Sequence, residues 1–239
     1  MEKKELKHRM IENFILKKIE SGEYKVGDQI PTEFELCEMF QVGRMTVNKA
    51  INNLANRNLI KRISGKGSFV MRKVSRSVTT VGSFTTDMEN AGMKASARLL
   101  EYRICTGEDY PEVAKELMLK PTDTILYFRR IRYGDNIPIA LADTFLVGEF
   151  FPDFNPAVLK ESLDEYMTSQ GMVLEGFIVS IEAIMAQKEE KQYLDLPLLE
   201  EAPLLKSTTK RFMGKRPYEY TRTAYVSDHF EYVSSGGEF

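Results

Sequence analysis

From Lys4 to Ile19, apolar side chains fall at Leu6, Met10, Phe14, Ile15 and Ile19, with Lys, Glu and Arg between them. That is the three-to-four spacing of an amphipathic helix. Ser21-Gly22 ends it, and Val26-Gly27-Asp28 turns the chain into a short segment closed by Pro31. A second helix is predicted there. Thr32 followed three residues later by Glu35 has the form of a capping box, and Leu36, Met39 and Phe40 supply an apolar face about two turns long. Gln41-Val42-Gly43 forms a turn, and a third helix from Arg44 gathers Val47, Ala50, Ile51 and Leu54 on one face. Arg44, Met45, Asn48, Lys49 and Asn52 fall on the other. Leu59 to Ile63 and Ser68 to Val70 then read as two strands around Ser64-Gly65-Lys66-Gly67.

Past Lys73-Val74-Ser75-Arg76-Ser77, which reads as a polar extended linker, the texture changes. Segments rich in Val, Ile, Tyr and Phe recur at Arg98 to Ile104, Ile125 to Tyr133, Ile137 to Phe145, Phe177 to Met185, Leu204 to Phe212 and Tyr218 to Val226. These predict strands. Helical spacing appears at Asp87 to Ala91, Pro111 to Leu119, Leu159 to Gln170 and Lys188 to Leu194. Gly134-Asp135-Asn136 and Gly214-Lys215-Arg216 are hairpin turns. The expectation is an α+β chain: a winged helix-turn-helix over residues 1–73, a linker over 74–79, and an antiparallel-sheet domain with flanking helices over 80–235.

Charge sharpens that division. Residues 1–73 carry 15 Lys and Arg against 9 Asp and Glu, whereas the rest carries 18 against 26, so a net of −2 hides a basic head on an acidic body. The longest apolar runs, Ile137 to Leu141 and Phe145 to Val147, fall far short of the roughly 18 residues of a membrane span. The charged N-terminus lacks the apolar stretch of a secretion signal, so a cytoplasmic protein is expected. Cys37 and Cys105 have no second Cys or nearby His at ligand spacing and read as reduced, mostly buried residues, and no metal or cofactor is expected.

Two short helices joined by a Gly-containing turn form the helix-turn-helix plan, with Arg44, Thr46 and Asn48 at the start of the helix that enters the major groove. Lys66, with glycines beside it at the hairpin tip, suits close approach to a phosphate. Gly27-Asp28-Gln29-Ile30-Pro31-Thr32-Glu33-Phe34-Glu35-Leu36, Val42-Gly43-Arg44-Met45-Thr46-Val47-Asn48-Lys49-Ala50-Ile51 and Gly65-Lys66-Gly67-Ser68-Phe69-Val70 together resemble the N-terminal domain of the GntR family of bacterial transcription regulators. The resemblance implies DNA contacts from Thr32, Glu33, Arg44, Met45, Thr46, Asn48, Lys49, Lys66 and Gly67. It also marks departures. Phe34 and Asn48 stand where the family commonly has Arg, and Gly43 where it has Ser. Two phosphate-neutralising cations are thereby replaced, which implies a shallower salt dependence or a different operator.

The body resembles the UTRA effector-binding domain of the HutC subfamily, whose fold is related to chorismate lyase. The resemblance rests on Ser83 to Met88 with Gly92, Arg130-Ile131-Arg132, Pro138-Ile139-Ala140, Ser162-Leu163 and Pro217 to Arg222. Independently, Thr86 and Glu89 have capping-box spacing, so the hydroxyl-rich loop from Ser83 to Asp87 feeds a helix start where an anion is favoured. Arg130 and Arg132, two apart on a strand, share a face and can clamp an anion. Capping alone would equally explain Thr86, and exposed strand arginines are common. The resemblance joins the two features. It implies that Ser83, Thr85 and Thr86 hold a small anionic effector, such as a phosphorylated sugar, with Arg130 and Arg132. Phe84, Ser162, Glu182, Tyr220 and Arg222 are the further candidates, Glu182 and Arg222 being equally readable as an ion pair between strands. Ala142 and Asp164 replace the Glu and Tyr common in relatives.

The function implied is a sequence-specific transcription regulator, a repressor by expectation, acting as a homodimer on a near-palindromic operator under effector control. A lyase or other enzyme built on the chorismate-lyase-like body remains the alternative. No Gly-x-Ser-x-Gly elbow, phosphate loop or metal cluster supports it, and His8 and His229 lie at opposite ends of the chain. A protein-binding role for the winged helix is disfavoured by the basic head, and the terminal Gly-Gly-Glu-Phe has no domain around it.

Overall fold

The computed structural model describes residues 6–25, 27–56, 59–71, 73–80 and 82–234. The chain divides into two compact units, Met1–Lys73 and Val74–Phe239. In the first, α1 (Lys7–Glu20), α2 (Glu33–Phe40) and α3 (Arg44–Asn56) precede a hairpin of β1 (Ile60–Ile63) and β2 (Gly67–Val70). The capping box forms as expected: the Thr32 hydroxyl accepts from the Glu35 N–H at 3.3 Å, and Glu35 accepts from the Thr32 N–H at 2.7 Å. Gln41 closes α2 in the left-handed region at φ 49°, and the Thr46 N–H donates to Gly43 O at 2.9 Å as α3 begins.

The core of this unit joins Ile11 and Ile15 of α1 to Leu36, Val47, Ile51, Leu54, Ile60 and Val70. The α1 stripe is therefore rotated from the one the spacing suggested. Leu6 and Met10 are exposed, because burying Ile11 and Ile15, four apart, turns Met10 toward water. At the hairpin tip Gly67 sits at φ +119°, and a Cβ there would lie 2.4 Å from Gln29 Nε2, the group that donates to Lys66 O at 3.1 Å. Gly67→Ala is expected to destabilise this unit by more than about 1 kcal/mol, seen as a lower denaturant midpoint; an unchanged midpoint would contradict the reading of the tip.

The second unit is built on a six-stranded antiparallel sheet, ordered β4 (Ala95–Thr106), β5 (Thr124–Gly134), β6 (Ile137–Val147), β9 (Arg216–Val226), β8 (Pro203–Met213), β7 (Gly176–Met185). The strand segments expected from the sequence are all present. Asp135 and Asn136, at φ 49° and 66°, make the tight turn between β5 and β6. One face of the sheet packs Leu126, Phe128 and Leu146 against Leu159 and against Leu163 and Met167 of α6 (Leu163–Ser169). The other packs Ile125, Tyr127 and Phe145 against Val113 and Leu117, at α5 (Pro111–Glu116) and its C-cap.

Three expectations change. The segment read as a linker contains β3 (Val74–Ser77), paired in parallel with β10 (Phe230–Val233). A four-residue strand with one buried side chain leaves almost no periodic signal, and its partner lies more than 150 residues away. The stretch from Leu159 to Gln170 is split: a 3-10 turn at Pro156–Lys160 precedes α6, whose N-cap is Ser162. Finally, α4 (Phe84–Asn90) starts earlier than expected and is capped by Ser83, whose hydroxyl accepts from the Thr86 N–H at 3.0 Å. Thr86 is therefore inside the helix, and the expected Thr86–Glu89 capping box does not form. Residues 81 and 235 lie outside the described residues.

Candidate functional site

Strand alternation decides which side chains meet in the body. On β5, Arg130 and Arg132 lie opposite Ala142 and Ala140 of β6, and these lie opposite Thr223 and Tyr225 of β9. Two alanines beside two arginines leave a hollow on that face. A cavity opens there, lined by Arg76 of β3, Arg130, Arg132, Asp164 of α6, Arg211 of β8 and Glu219 of β9, with Thr144, Thr209, Thr221 and Thr223 supplying hydroxyls.

The four arginines are not equivalent. Arg76 forms an ion pair with Asp87 of α4 and donates to the Tyr225 hydroxyl at 2.9 Å. Burial pushes the Asp87 carboxyl above its ordinary value, outweighing the attraction of Arg76. Arg211 pairs with Asp164 and, at 3.4 Å, with Glu219. Burial works against its charge, but Glu219 and Asp164 outweigh it and hold the guanidinium above its ordinary range. Arg130 and Arg132 have no carboxylate in ion-pair reach among the described residues. Arg130 is 1 % exposed, donates one bond to Leu159 O at 3.3 Å, and keeps its Nε buried without a partner. Arg132 lies over the Phe84 ring at 4.3 Å, and its Nε is likewise unpartnered. Burial, then the like charge of Arg132, drives Arg130 well below the arginine range; burial lowers Arg132 as well.

Of the effector candidates, Phe84, Arg130 and Arg132 line this cavity, and Thr85 and Ser162 line a second cleft that shares Phe84 and Arg132. Ser83 and Thr86 line neither: their hydroxyls are 3.1 Å apart and serve the start of α4. Glu182, Tyr220 and Arg222 are corrected outright. Register puts them on the opposite face, where Glu182 pairs with Lys206 at 2.8 Å, Arg222 with Glu112 at 3.2 Å, and Tyr220 packs near Phe145. The suggested Glu182–Arg222 pair does not form. Arg76, Arg211, Glu219, Thr223 and Tyr225 are cavity residues that the sequence reading missed. The parity of β9 was the available signal, but two equally spaced sets, 218/220/222 and 219/221/223, cannot be told apart without the register.

In the head, Glu33 is a hub. Its carboxylate accepts from Arg44 Nε at 3.2 Å, from the Asn48 amide at 3.1 Å and from the Arg62 guanidinium. It thus ties α2 to α3 and to β1. Arg44, Lys49 and Lys66 remain exposed, Thr32 is exposed at the start of α2, Thr46 is half-buried, and Met45 is 84 % exposed. Asn48, expected as a base reader, spends one amide N–H within the fold.

A winged helix-turn-helix followed by a sheet domain enclosing a cationic cavity defines a one-component transcription regulator. The family signatures agree: bacterial regulatory proteins of the gntR family match residues 7–70, and the UTRA domain matches residues 90–231. The chain belongs to the GntR family, in the branch carrying a UTRA domain. It is 25% identical to the mannosyl-D-glycerate transport/metabolism system repressor MngR of Escherichia coli (strain K12), over 95% of this chain and 94% of that one. It is 27% identical to the HTH-type transcriptional repressor NagR of Bacillus subtilis (strain 168), over 90% and 88%. The crystal structure of PhnF from Mycobacterium smegmatis shares the fold, with a TM-score of 0.66 and 20% identity, covering 97% of this chain and 99% of that one. The chain is a transcription regulator and not an enzyme, which closes the lyase alternative. No helix among the described residues is long and apolar enough to cross a membrane.

Proposed function

We propose that this regulator is a homodimeric repressor whose hold on a near-palindromic operator is controlled by a small phosphorylated metabolite, a sugar phosphate by class. The observation that carries the reading is the guanidinium pair of Arg130, fully buried, and Arg132, half-buried with its Nε out of solvent, which face a cavity without carboxylate partners among the described residues. A buried charge needs compensation, and a phosphate supplies two or three acceptor oxygens in the geometry a guanidinium prefers. A sugar-derived effector is in keeping with a relative that represses a mannosyl-D-glycerate system. Arg44, Met45, Thr46 and Lys49 are the residues assigned to the major groove. Thr32, Lys66 and Gly67 are assigned to the DNA backbone, and Glu33 and Asn48 to holding the recognition helix.

Fluorescence anisotropy with duplex DNA from the gene's own upstream region, across a salt series and with a panel of sugar phosphates, tests this. Tight binding released by one ligand is expected. Phe34 is 70 % exposed and Asn48 is engaged by Glu33, so the slope of log K against log salt should be shallower than in relatives with Arg at both positions. Each missing phosphate contact removes about 0.9 from that slope. Absence of binding to any upstream or genomic fragment would overturn the operator reading.

A further inference from the structure

The charges around the cavity do not balance for a simple phosphate ester. Four arginines, Arg76, Arg130, Arg132 and Arg211, face or enclose it, with Asp164 and Glu219 in its wall and Asp87 buried against Arg76. The sum is one positive charge. They are also unevenly placed. Arg130 and Arg132 form an uncompensated positive end, and Arg76 and Asp87 neutralise each other. At the remaining end two carboxylates, Asp164 and Glu219, share the single guanidinium of Arg211. Glu219 is buried, and its Oε1 lies 2.8 Å from the Thr221 hydroxyl. Asp164 reaches Arg211 through Oδ1 alone, and no partner of its Oδ2 is found among the described residues.

A phosphate monoester brings close to two negative charges at neutral pH. Seated on Arg130 and Arg132, it cancels their charge and leaves the Asp164–Glu219–Arg211 end one negative charge in excess. Hydroxyl groups on the ligand can donate to those carboxylates but cannot remove that excess. An ammonium group can, and it makes the filled site neutral, which is the condition under which burying ions costs least.

From this we infer that the effector is an amine-bearing phosphate ester, its phosphate on Arg130 and Arg132 and its ammonium on Asp164 and Glu219. The inference rests on the phosphate reading above and deepens it by naming the second recognised group. Asp164 is then a specificity-determining residue, and the Ala142 that departs from relatives contributes only space.

The test is calorimetric titration of the full chain with inorganic phosphate, a short series of ω-aminoalkyl phosphates, and hydroxyalkyl phosphates of matching length. At the chain length that spans the two ends, the amine is expected to bind about tenfold or more tightly than its hydroxyl counterpart, the worth of one charge-assisted contact. Asp164→Asn should reduce that ratio to within about threefold while leaving affinity for inorganic phosphate unchanged or improved. Where circular dichroism shows Asp164→Asn to be unfolded, Glu219→Gln reads the same ratio. Equal binding of amine and hydroxyl esters at every length, with phosphate still bound, overturns the ammonium site and leaves the phosphate reading standing. A preference that survives both substitutions overturns it too. If neither phosphate nor any ester binds, the phosphate site itself fails, and this inference with it.

Discussion

Replacing Arg130 with Met is expected to stabilise the effector-free protein and at the same time make it deaf to its effector. Arg130 is a fully buried cation with one hydrogen bond, to Leu159 O, and an unpartnered Nε. Exchanging an uncompensated buried charge for an apolar side chain of similar length removes a desolvation cost, a change worth about 1–4 kcal/mol where it has been measured for buried ionic groups. Loss of the single bond to Leu159 returns about 1 kcal/mol of that. Burial holds the folded-state guanidinium pKa well below its ordinary value. For a base shifted downward, the folding penalty is complete below the folded pKa and eases as pH rises past it. The advantage of Arg130→Met is therefore largest below the folded-state pKa and shrinks, never grows, on alkalisation. Binding moves the other way: two charge-assisted bonds to phosphate, at about 1.5–3 kcal/mol each, correspond to a loss of more than about a hundredfold in effector affinity. Thermal unfolding across pH, phosphate-ester titration and operator anisotropy read the three consequences. A variant that melts lower than the parent, or one whose operator complex still dissociates on adding effector, sinks the assignment of Arg130 as an anion ligand held at a cost to stability.

The same opposition of stability and function explains which parts of this molecule could be read from its sequence. Helices and long strands announce themselves because burial imposes a period on many residues at once. Val47, Ile51 and Leu54 mark one face of α3, and Ile125 to Tyr133 is apolar enough to require a covered strand. Caps are legible for a local reason, since Thr32 and Glu35 are three residues apart in sequence and reach each other only in a helix. The near miss at α4 shows the limit of that logic: Ser83 and Thr86 offer competing hydroxyls, and the earlier one takes the cap because Phe84 and Met88 then fall on the buried side.

What could not be read is whatever depends on register between distant strands. Arg130 and Arg132 were found because both lie on one strand, where parity is certain. Tyr220 and Arg222 were misassigned because the parity of β9 relative to β5 is fixed only through β6, by the pairings Arg130↔Ala142 and Ala142↔Thr223. A shift of one residue would exchange Thr221, Thr223 and Tyr225 for Tyr220 and Arg222. Arg211 is invisible for the same reason: the resemblance marks Asp164 as a departure, but its pairing with Arg211, 47 residues away, arises only in the folded unit. In the head, Glu33 lies close along the chain to Arg44 and Asn48, yet nothing in the sequence pattern announces that their side chains meet. The family resemblance points to DNA contacts from these residues, and the side chains in addition form a bracket between α2, α3 and β1.

Arg76→Met should be among the most damaging single substitutions in the second unit, although it removes a residue from a strand of only four. Arg76 fastens β3 to α4 through Asp87 and lies over the rings of Tyr225 and Phe230 at 5.6 and 5.3 Å. Removing it leaves a buried carboxylate with no compensating partner in contact, a loss of about 3–5 kcal/mol. The pH dependence identifies the cause. Burial already raises the folded-state pKa of Asp87, and losing Arg76 raises it further. For a carboxyl shifted upward, the penalty is greatest at neutral pH. It falls as pH drops through the folded pKa, and is absent below the unfolded value of about 3.9. The gap in stability between the variant and the parent should thus narrow steadily from pH 7 toward pH 4. Pairing the substitution with Asp87→Asn should recover most of the loss at pH 7 and abolish its pH dependence. A constant gap across pH, or a double variant no more stable than Arg76→Met alone, would mean that Arg76 acts through its ring contacts and its packing, with the carboxylate a bystander. The strand at stake begins at Val74, directly after the first unit ends, and its arginine also lines the cationic cavity.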